Sequence, residues 1–469
     1  MVDRHARADR LCSCEAAVTH AELQALLADQ GGRRYYREME GLAVDTAQLA
    51  AALDAACTTH TRAWLKICAR CGLCAANCAF YLAGRDPRMI PAYKVRSTLG
   101  EMLRRKGRVD TAFMIRAMDV AWGRCTCCNR CGLYCPMGID TGVLISVLRG
   151  ILFEQGFVPW EMKIGSAMHR VFGAQMDVSD EEWIETCAWL EEEYQDIWPG
   201  LRLPMDQTSA NILYVLNARE VKYYPQDVAA AAMLFQLAGE NWTMTGQGWD
   251  STSLSWFAGD FEGCGQNVRR VYDAVERLRP ARVVGTECGH AYRATVVEGP
   301  YWAGRTDGST PAPFLHYVEW LAEALRTGRL AVDPAKKIKR PVTVQDACNY
   351  VRGGGLGRYT REVVSHIAED VREMPECPDH AFCCGGGGGL NGIGRYRAGR
   401  DEVMRVKYGQ IRATGAEIVI APCHNCWDAL RDMMHACQEQ NITWSLLKPL
   451  VLGCVQLPPG VNAEACGGL

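Results

Sequence analysis

Thirteen of the chain's 24 cysteines fall into three tight sets, and no ordinary packing demand produces that distribution. Cys68, Cys71, Cys74 and Cys78 stand at C-x2-C-x2-C-x3-C. Cys125, Cys128, Cys131 and Cys135 repeat the spacing, with Pro136 next. The third set, Cys348, Cys383, Cys384, Cys423 and Cys426, is spread as C-x34-C-C-G-x37-C-x2-C. Five consecutive glycines, Gly385 to Gly389, follow its cysteine pair.

Clustered cysteines are disulfides, metal ligands or redox groups according to compartment. The start, "MVDRHARADRLCSC", is charged and lacks the apolar core of a secretory signal, so a reducing compartment is expected. No run of 18 apolar residues predicts a membrane span. A net charge of −3 gives no basic bias toward nucleic acid, and none is expected as a partner.

Residues 1–60 read as helical. Residues 61–205 carry both quartets between helical stretches such as "AYKVRSTLGEMLRRKG" and "TAFMIRAMDVAWG". From about 206 the pattern becomes alternating strands and helices, the signature of parallel α/β units. "NILYVLN" and "ARVVGTEC" read as strands, and "PVTVQDAC" and "AEIVIAPC" recur after "DPAKKIKRP". The recurrence suggests duplication: a first half over 206–335, a second over 336–455 and a tail, 456–469. The fold class expected is multidomain α plus α/β. The apolar stretch "WSLLKPLVLGCVQLPPG" reads as a surface able to dock a partner, its prolines arguing against an amphipathic helix.

The repeated quartet is the bacterial ferredoxin run. The fourth cysteine of each run then serves the other cluster. Cys68, Cys71, Cys74 and Cys135 are assigned to one [4Fe–4S] cubane, and Cys125, Cys128, Cys131 and Cys78 to a second. Structural zinc uses four ligands, usually as separated pairs, and suits this spacing poorly. The helical sequence between the runs is similar to the all-helical two-cluster domain of respiratory iron–sulfur subunits. Cys127 is supernumerary. Cys12, Cys14, Cys57, Cys264, Cys288 and Cys466 have no role fixed by the sequence.

The five-cysteine set resembles the CCG domain of heterodisulfide-reductase-type proteins. The resemblance implies that Cys348, Cys383, Cys384, Cys423 and Cys426 hold a noncubane [4Fe–4S] cluster that cleaves disulfides. It gives Gly385 and Gly386 a use, since glycine lets backbone N–H groups approach the cluster's sulfurs. His424 could donate a proton to a leaving thiolate, or be a plain neighbour. Zinc, an ordinary cubane with a spare thiol, and a phosphate cradle remain alternatives. The first half keeps one expected cysteine, Cys288, opposite Cys423. It reads as scaffold, with a lesser reading in which Cys264, Cys288 and His290 line the substrate side of the pocket.

The order of the sets, over roughly residues 60–430, resembles the D-type iron–sulfur polypeptide of membrane-bound heterodisulfide reductase. It is most like the cytoplasmic iron–sulfur subunits of the Hmc (high-molecular-weight cytochrome) and Tmc redox complexes of sulfate reducers, related to DsrK. That likeness implies a place on the inner face of the cytoplasmic membrane. It implies a cytochrome b-type membrane partner linked to a periplasmic multihaem cytochrome c. It also implies a disulfide or trisulfide substrate, such as that of the sulfur carrier DsrC. Two other readings stay open: an electron-transfer adaptor without catalysis, or the iron–sulfur subunit of a glycolate, lactate or glycerol-3-phosphate dehydrogenase complex.

Overall fold

A computed structural model describes residues 19–461. Cys12, Cys14 and Cys466 lie outside the described residues. Up to Ile212 the described chain forms helices and no strand. Aspartate and threonine caps set many helix starts. Asp110 accepts from the Phe113 N–H and Asp140 from the Val143 N–H, opening Thr111–Gly123 and Thr141–Glu154. These two helices back the second quartet. None of the described helices is long and apolar enough to cross a membrane.

Seven short strands follow. The first sheet has the parallel order β2 (Trp242–Thr243), β1 (Ile212–Val215), β3 (Arg282–Gly285), β4 (Phe314–His316). The second has β5 (Val342–Val344), β6 (Ile418–Ile420), β7 (Thr443–Ser445), also parallel. A parallel bridge from Val371 to Val342 occupies the edge of β5 where β2 stands beside β1. Both sheets therefore present the same connectivity. β1, β5 and β6 are buried along their whole length, which is why β1 and β6 read as unbroken apolar runs and β5 as a β-branched one.

One core joins the two sheets, with Ile212, Tyr214 and Val284 in the same cluster as Val342, Val344 and Ile420. A second core joins the helical region to the first sheet, with Met114, Leu148 and Ile151 packing with Leu213, Phe257 and Val283. The stretch read as a docking surface is corrected here. Leu447–Cys454 is a helix whose Leu447, Val451 and Leu452 lie in the shared core. Pro449 sits in its first turn, where a backbone N–H has no helical partner to lose.

Candidate metal centre

The two quartets are brought together across the helical region. Cys68, Cys71, Cys74 and Cys135 line a cavity of about 250 Å³. Cys78, Cys125, Cys128 and Cys131 line a neighbouring one. Burial pushes the Cys74 thiol up, and the sulfurs of Cys68, Cys71 and Cys78 push it further. Burial and the sulfurs of Cys78, Cys128 and Cys125 do the same to Cys131, well above the ordinary thiol range. Crowded sulfurs that resist ionisation alone are the donor set a cationic cluster stabilises. Lys94, 1% exposed, lies beside the second set, with Nζ 3.6 Å from Cys78 Sγ. Cys127 is buried with its thiol in hydrogen-bond contact with Cys125.

The third set converges at the carboxyl edge of the second sheet, the usual ligand edge of α/β folds. Cys348 opens the helix Cys348–Gly354 after β5. Cys423 caps the helix His424–Ala436 after β6, and Cys426 lies in its first turn. Helix N-termini favour anionic sulfur. Cys383 and Cys384 come from a loop, so the five thiols converge from two strand ends and one loop.

The sulfurs form a chain of hydrogen-bond contacts: Cys348 to Cys383, Cys383 to Cys384, Cys384 to Cys426, and Cys426 to Cys423. The chain continues to Cys288, which contacts Cys423. Cys383 is held well below the ordinary thiol range, first by the Cys348 and Cys384 thiols and then by the Gly385 N–H, 3.4 Å away. Cys423 is held low in the same way, by the Cys288 and Cys426 thiols and by the Gly289 N–H at 3.4 Å.

The glycine run has two uses. Gly385 and Gly386 turn their N–H groups to Cys383 and Cys384. The rest of the run is pressed against protein. A Cβ on Gly388, whose φ is +64°, would lie 2.8 Å from the Thr126 carbonyl oxygen. What comes too close for side chains is the loop of the second quartet. Two arginines fasten that contact. Arg352 donates to the carbonyls of Cys128 (2.6 Å) and Ala381 (2.8 Å). Arg149 donates to the carbonyls of Cys125 and Gly388, each at 2.9 Å. Neither arginine stands out in the sequence, because their carbonyl partners are distant along the chain.

His424 is placed away from the thiols, which corrects its reading as their proton donor. Its Nε2 lies 2.8 Å from Asp227 and its Nδ1 3.1 Å from Asn217, inside a buried charge network with Lys448 and Glu220. Glu220, Asp227 and His424 could group around a cation, but the Lys448 ammonium already fills that role, 2.8 Å from Glu220 and 2.5 Å from Asp227. Lys407, 1% exposed, is the buried cation on the thiol side, near Cys383 and Cys384; burial draws it down to about 8. Cys264 and Cys57 are core residues. Cys288 and His290 instead line a cavity.

The donors fit an iron–sulfur centre. The five thiols are free, contiguous and shielded by an apolar shell that includes Tyr350, Met404 and Ala429, and glycine N–H groups point at their sulfurs.

Comparison with known proteins agrees. The model for a 4Fe-4S dicluster domain matches residues 64–139, and that for the CCG cysteine-rich domain matches residues 342–431. The chain is 24% identical to the Hdr-like menaquinol oxidoreductase iron-sulfur subunit 2 of Archaeoglobus fulgidus over 413 residues, covering 77% of this chain and 74% of that one. Its counterpart in Archaeoglobus profundus is 23% identical over 414 residues, with the same coverage. The EtfAB:quinone oxidoreductase of Syntrophomonas wolfei is 22% identical over 429 residues, covering 81% of this chain and 56% of that one. With a dicluster domain, a CCG domain and Hdr-like relatives aligned over three-quarters of its length, this chain is similar to heterodisulfide-reductase-like CCG iron–sulfur proteins.

Proposed function

We propose that the chain is the subunit of a membrane-bound redox complex that delivers electrons through two [4Fe–4S] cubanes to a noncubane [4Fe–4S] centre where a disulfide or trisulfide is reduced or formed. The cubanes belong to Cys68, Cys71, Cys74 and Cys135, and to Cys125, Cys128, Cys131 and Cys78. The third centre belongs to Cys348, Cys383, Cys384, Cys423 and Cys426. When bound there, it supplies two electrons to a sulfur–sulfur bond. R–S–S–R′ takes two electrons and two protons and leaves as R–SH and R′–SH. The protein's own contribution is to hold five thiols together, neutralise them with Arg352 and Lys407, and exclude water.

The observation that carries this reading is contact between the second quartet and the five-thiol site. Thr126 abuts Gly388, and Arg352 lies among the sulfurs of Cys128, Cys348 and Cys383. A conduit ending at a site built for sulfur serves chemistry there. On this reading the second sheet (336–455) is the intact half of a duplicated CCG module, 206–335 the degenerate half, and 61–205 the conduit.

The test is the EPR spectrum of the oxidised protein, purified anaerobically. Oxidised cubanes are silent, so a paramagnetic signal lost in Cys384→Ala, in a protein with about 12 iron atoms per chain, is the expected result. Full iron content with reduced-state cubane signals alone would leave the chain an electron-transfer adaptor. The kinship with an EtfAB:quinone oxidoreductase favours that second reading, with quinone as the distant redox partner.

The first quartet is the entry face. Among the described residues, five of the ten exposed large apolar ones belong here: Leu73, Tyr93 and Met137 line its cavity, and Ile67 and Leu133 lie on or beside its cysteine runs. Lys66, Arg70 and Arg96 are exposed beside them. Asp86, the one acid between residues 66 and 96, is paired with Arg88. An apolar patch with a basic rim suits a partner whose contact face is apolar and bordered by acidic groups, taken here as a surface of the cytochrome b-type membrane subunit linked to multihaem cytochrome c. The place proposed is the cytoplasmic side, and DsrC is a candidate source of the disulfide. A Leu73→Asp/Met137→Asp variant is expected to lose co-purification of the membrane partner with unchanged iron content. Unimpaired co-purification places the entry face elsewhere.

A further inference from the structure

We propose that Cys288, from the first α/β half, is a sixth sulfur donor of the third centre and the one that faces incoming substrate. This rests on the five-thiol reading above.

The backbone brings Cys288 to the site. It stands three residues past the end of β3, as Cys423 stands three residues past the end of β6. The two turns are locked to each other. The His424 N–H donates to the Glu287 carbonyl at 2.9 Å, and the Gly289 N–H donates to Cys423 Sγ at 3.4 Å. Those bonds set the Cys288 and Cys423 sulfurs in contact. The equivalent positions of the two halves thus meet, and the half that lacks four cysteines keeps the one whose sulfur reaches the surviving site. Its neighbour Cys264 is wholly buried in apolar core and outside the sulfur chain.

A second observation concerns access. A cavity of about 350 Å³ opens between the helical region and the first half. Its floor is buried and includes Cys288, His290 and Thr252, while Asp177 and Tyr223 at its rim are exposed. Thr252 lines the cavity, and its buried hydroxyl has no hydrogen-bond partner. Of the six sulfurs, Cys288 alone lines this cavity. The walls include Met162, Met168 and Leu254, soft apolar surface suited to a thiol or disulfide on a narrow stem. The volume is at the lower end of small-ligand pockets. The other five sulfurs are absent from the cavity's lining and join Cys288 through Cys423. A substrate sulfur arriving through the cavity therefore meets Cys288 first and can take its place at the metal centre.

The test compares oxidised-state EPR and Mössbauer spectra of the full chain, with and without β-mercaptoethanol as the probe thiol, for wild type, Cys288→Ala, Cys288→Ser and Cys264→Ala. The proposal expects Cys288→Ala and Cys288→Ser to shift or lose the third-centre signal and to lose its response to β-mercaptoethanol. Cubane signals persist in both, and Cys264→Ala matches wild type. Spectra of Cys288→Ala and Cys288→Ser that superimpose on wild type in both conditions overturn the proposal while leaving the five-thiol centre standing. Absence of any third centre in wild type, with about 8 iron atoms per chain, overturns both readings together.

Discussion

Replacing Lys448 by methionine is expected to destabilise the chain by ~3–5 kcal/mol, the cost of stranding buried charges by removing their partner. Lys448 is fully buried and its Nζ lies 2.8 Å from Glu220, 2.5 Å from Asp227 and 3.1 Å from the Tyr214 hydroxyl. Its backbone N–H, with that of Leu447, donates to the Glu287 carboxylate at 2.7 and 2.9 Å. Methionine fills similar volume, so the loss is electrostatic and leaves little cavity. The measurement is the urea midpoint, expected to fall by about 1 M or more for a chain of this size.

The pH dependence gives a second check. Burial pushes Asp227 up, but Lys448 and then His424 pull harder, and it is held at about 2 against an ordinary value of 3.8. A depressed carboxyl stabilises the fold above its unfolded value and loses that contribution as pH falls through the folded one. Wild type therefore loses this contribution between pH about 4 and 2. In the variant burial is unopposed by Lys448, Asp227 moves up, and acidification from pH 7 to 5 relieves part of the damage. A loss under about 1 kcal/mol, or no relief by acid, would show that the network is not held by the lysine. The same change reaches the thiol site, because the Glu287 carbonyl holds the N–H of His424 beside Cys423.

The two quartets are readable in the sequence because each sits within one short run, where spacing carries the geometry; the third set, spread from Cys348 to Cys426, is readable through its adjacent cysteine pair and glycine run. β1, β3, β5 and β6 are readable as buried apolar runs. β2, β4 and β7 are not: Trp242–Thr243 is two residues long, and Phe314–His316 and Thr443–Ser445, as short as β5 and β6, lack their fully buried β-branched pattern. Lys448 is hidden inside a stretch that looks like a docking surface. Its partners Tyr214, Glu220 and Asp227 lie more than 200 residues earlier, so only the meeting of the two halves creates the network. Cys288 is visible in the sequence only as the residue that aligns with Cys423 when the two α/β stretches are superposed. That the two positions touch is a property of how the halves face each other, which alignment cannot supply. His424 draws attention by standing between Cys423 and Cys426. In a helix, adjacent residues point about 100° apart, so its ring leaves the site its neighbours build.

Arg149→Met is expected to damage both stability and the path between the second quartet and the five-thiol site. The guanidinium, 1% exposed, donates five hydrogen bonds to four carbonyls: two to Ala121 at 2.9 and 3.0 Å, one each to Cys125 and Gly388 at 2.9 Å, and one to Phe257 at 2.8 Å. Ala121 and Cys125 bracket the approach to the second quartet, Gly388 belongs to the glycine run, and Phe257 belongs to the first half. One side chain thus pins three parts of the chain. Without it Phe257 keeps the Trp122 indole N–H at 3.1 Å. The described contacts offer no such replacement for the carbonyls of Cys125 and Gly388. Each buried acceptor left open costs ~1–3 kcal/mol, so ~3–5 kcal/mol is expected after relief from losing the arginine's own desolvation. Lysine restores the charge but brings three donors from one point and cannot span carbonyls on three segments, so Arg149→Lys recovers only part of the loss. Stopped-flow reduction separates the two effects at a temperature where both variants are folded. Reduction of the second quartet should keep its rate, while onward reduction of the third centre slows at least tenfold as the Thr126–Gly388 contact opens. Equal slowing of both phases would mean that Arg149 serves the helical region alone. No slowing in a destabilised variant would mean that the glycine contact is held by Arg352 without it.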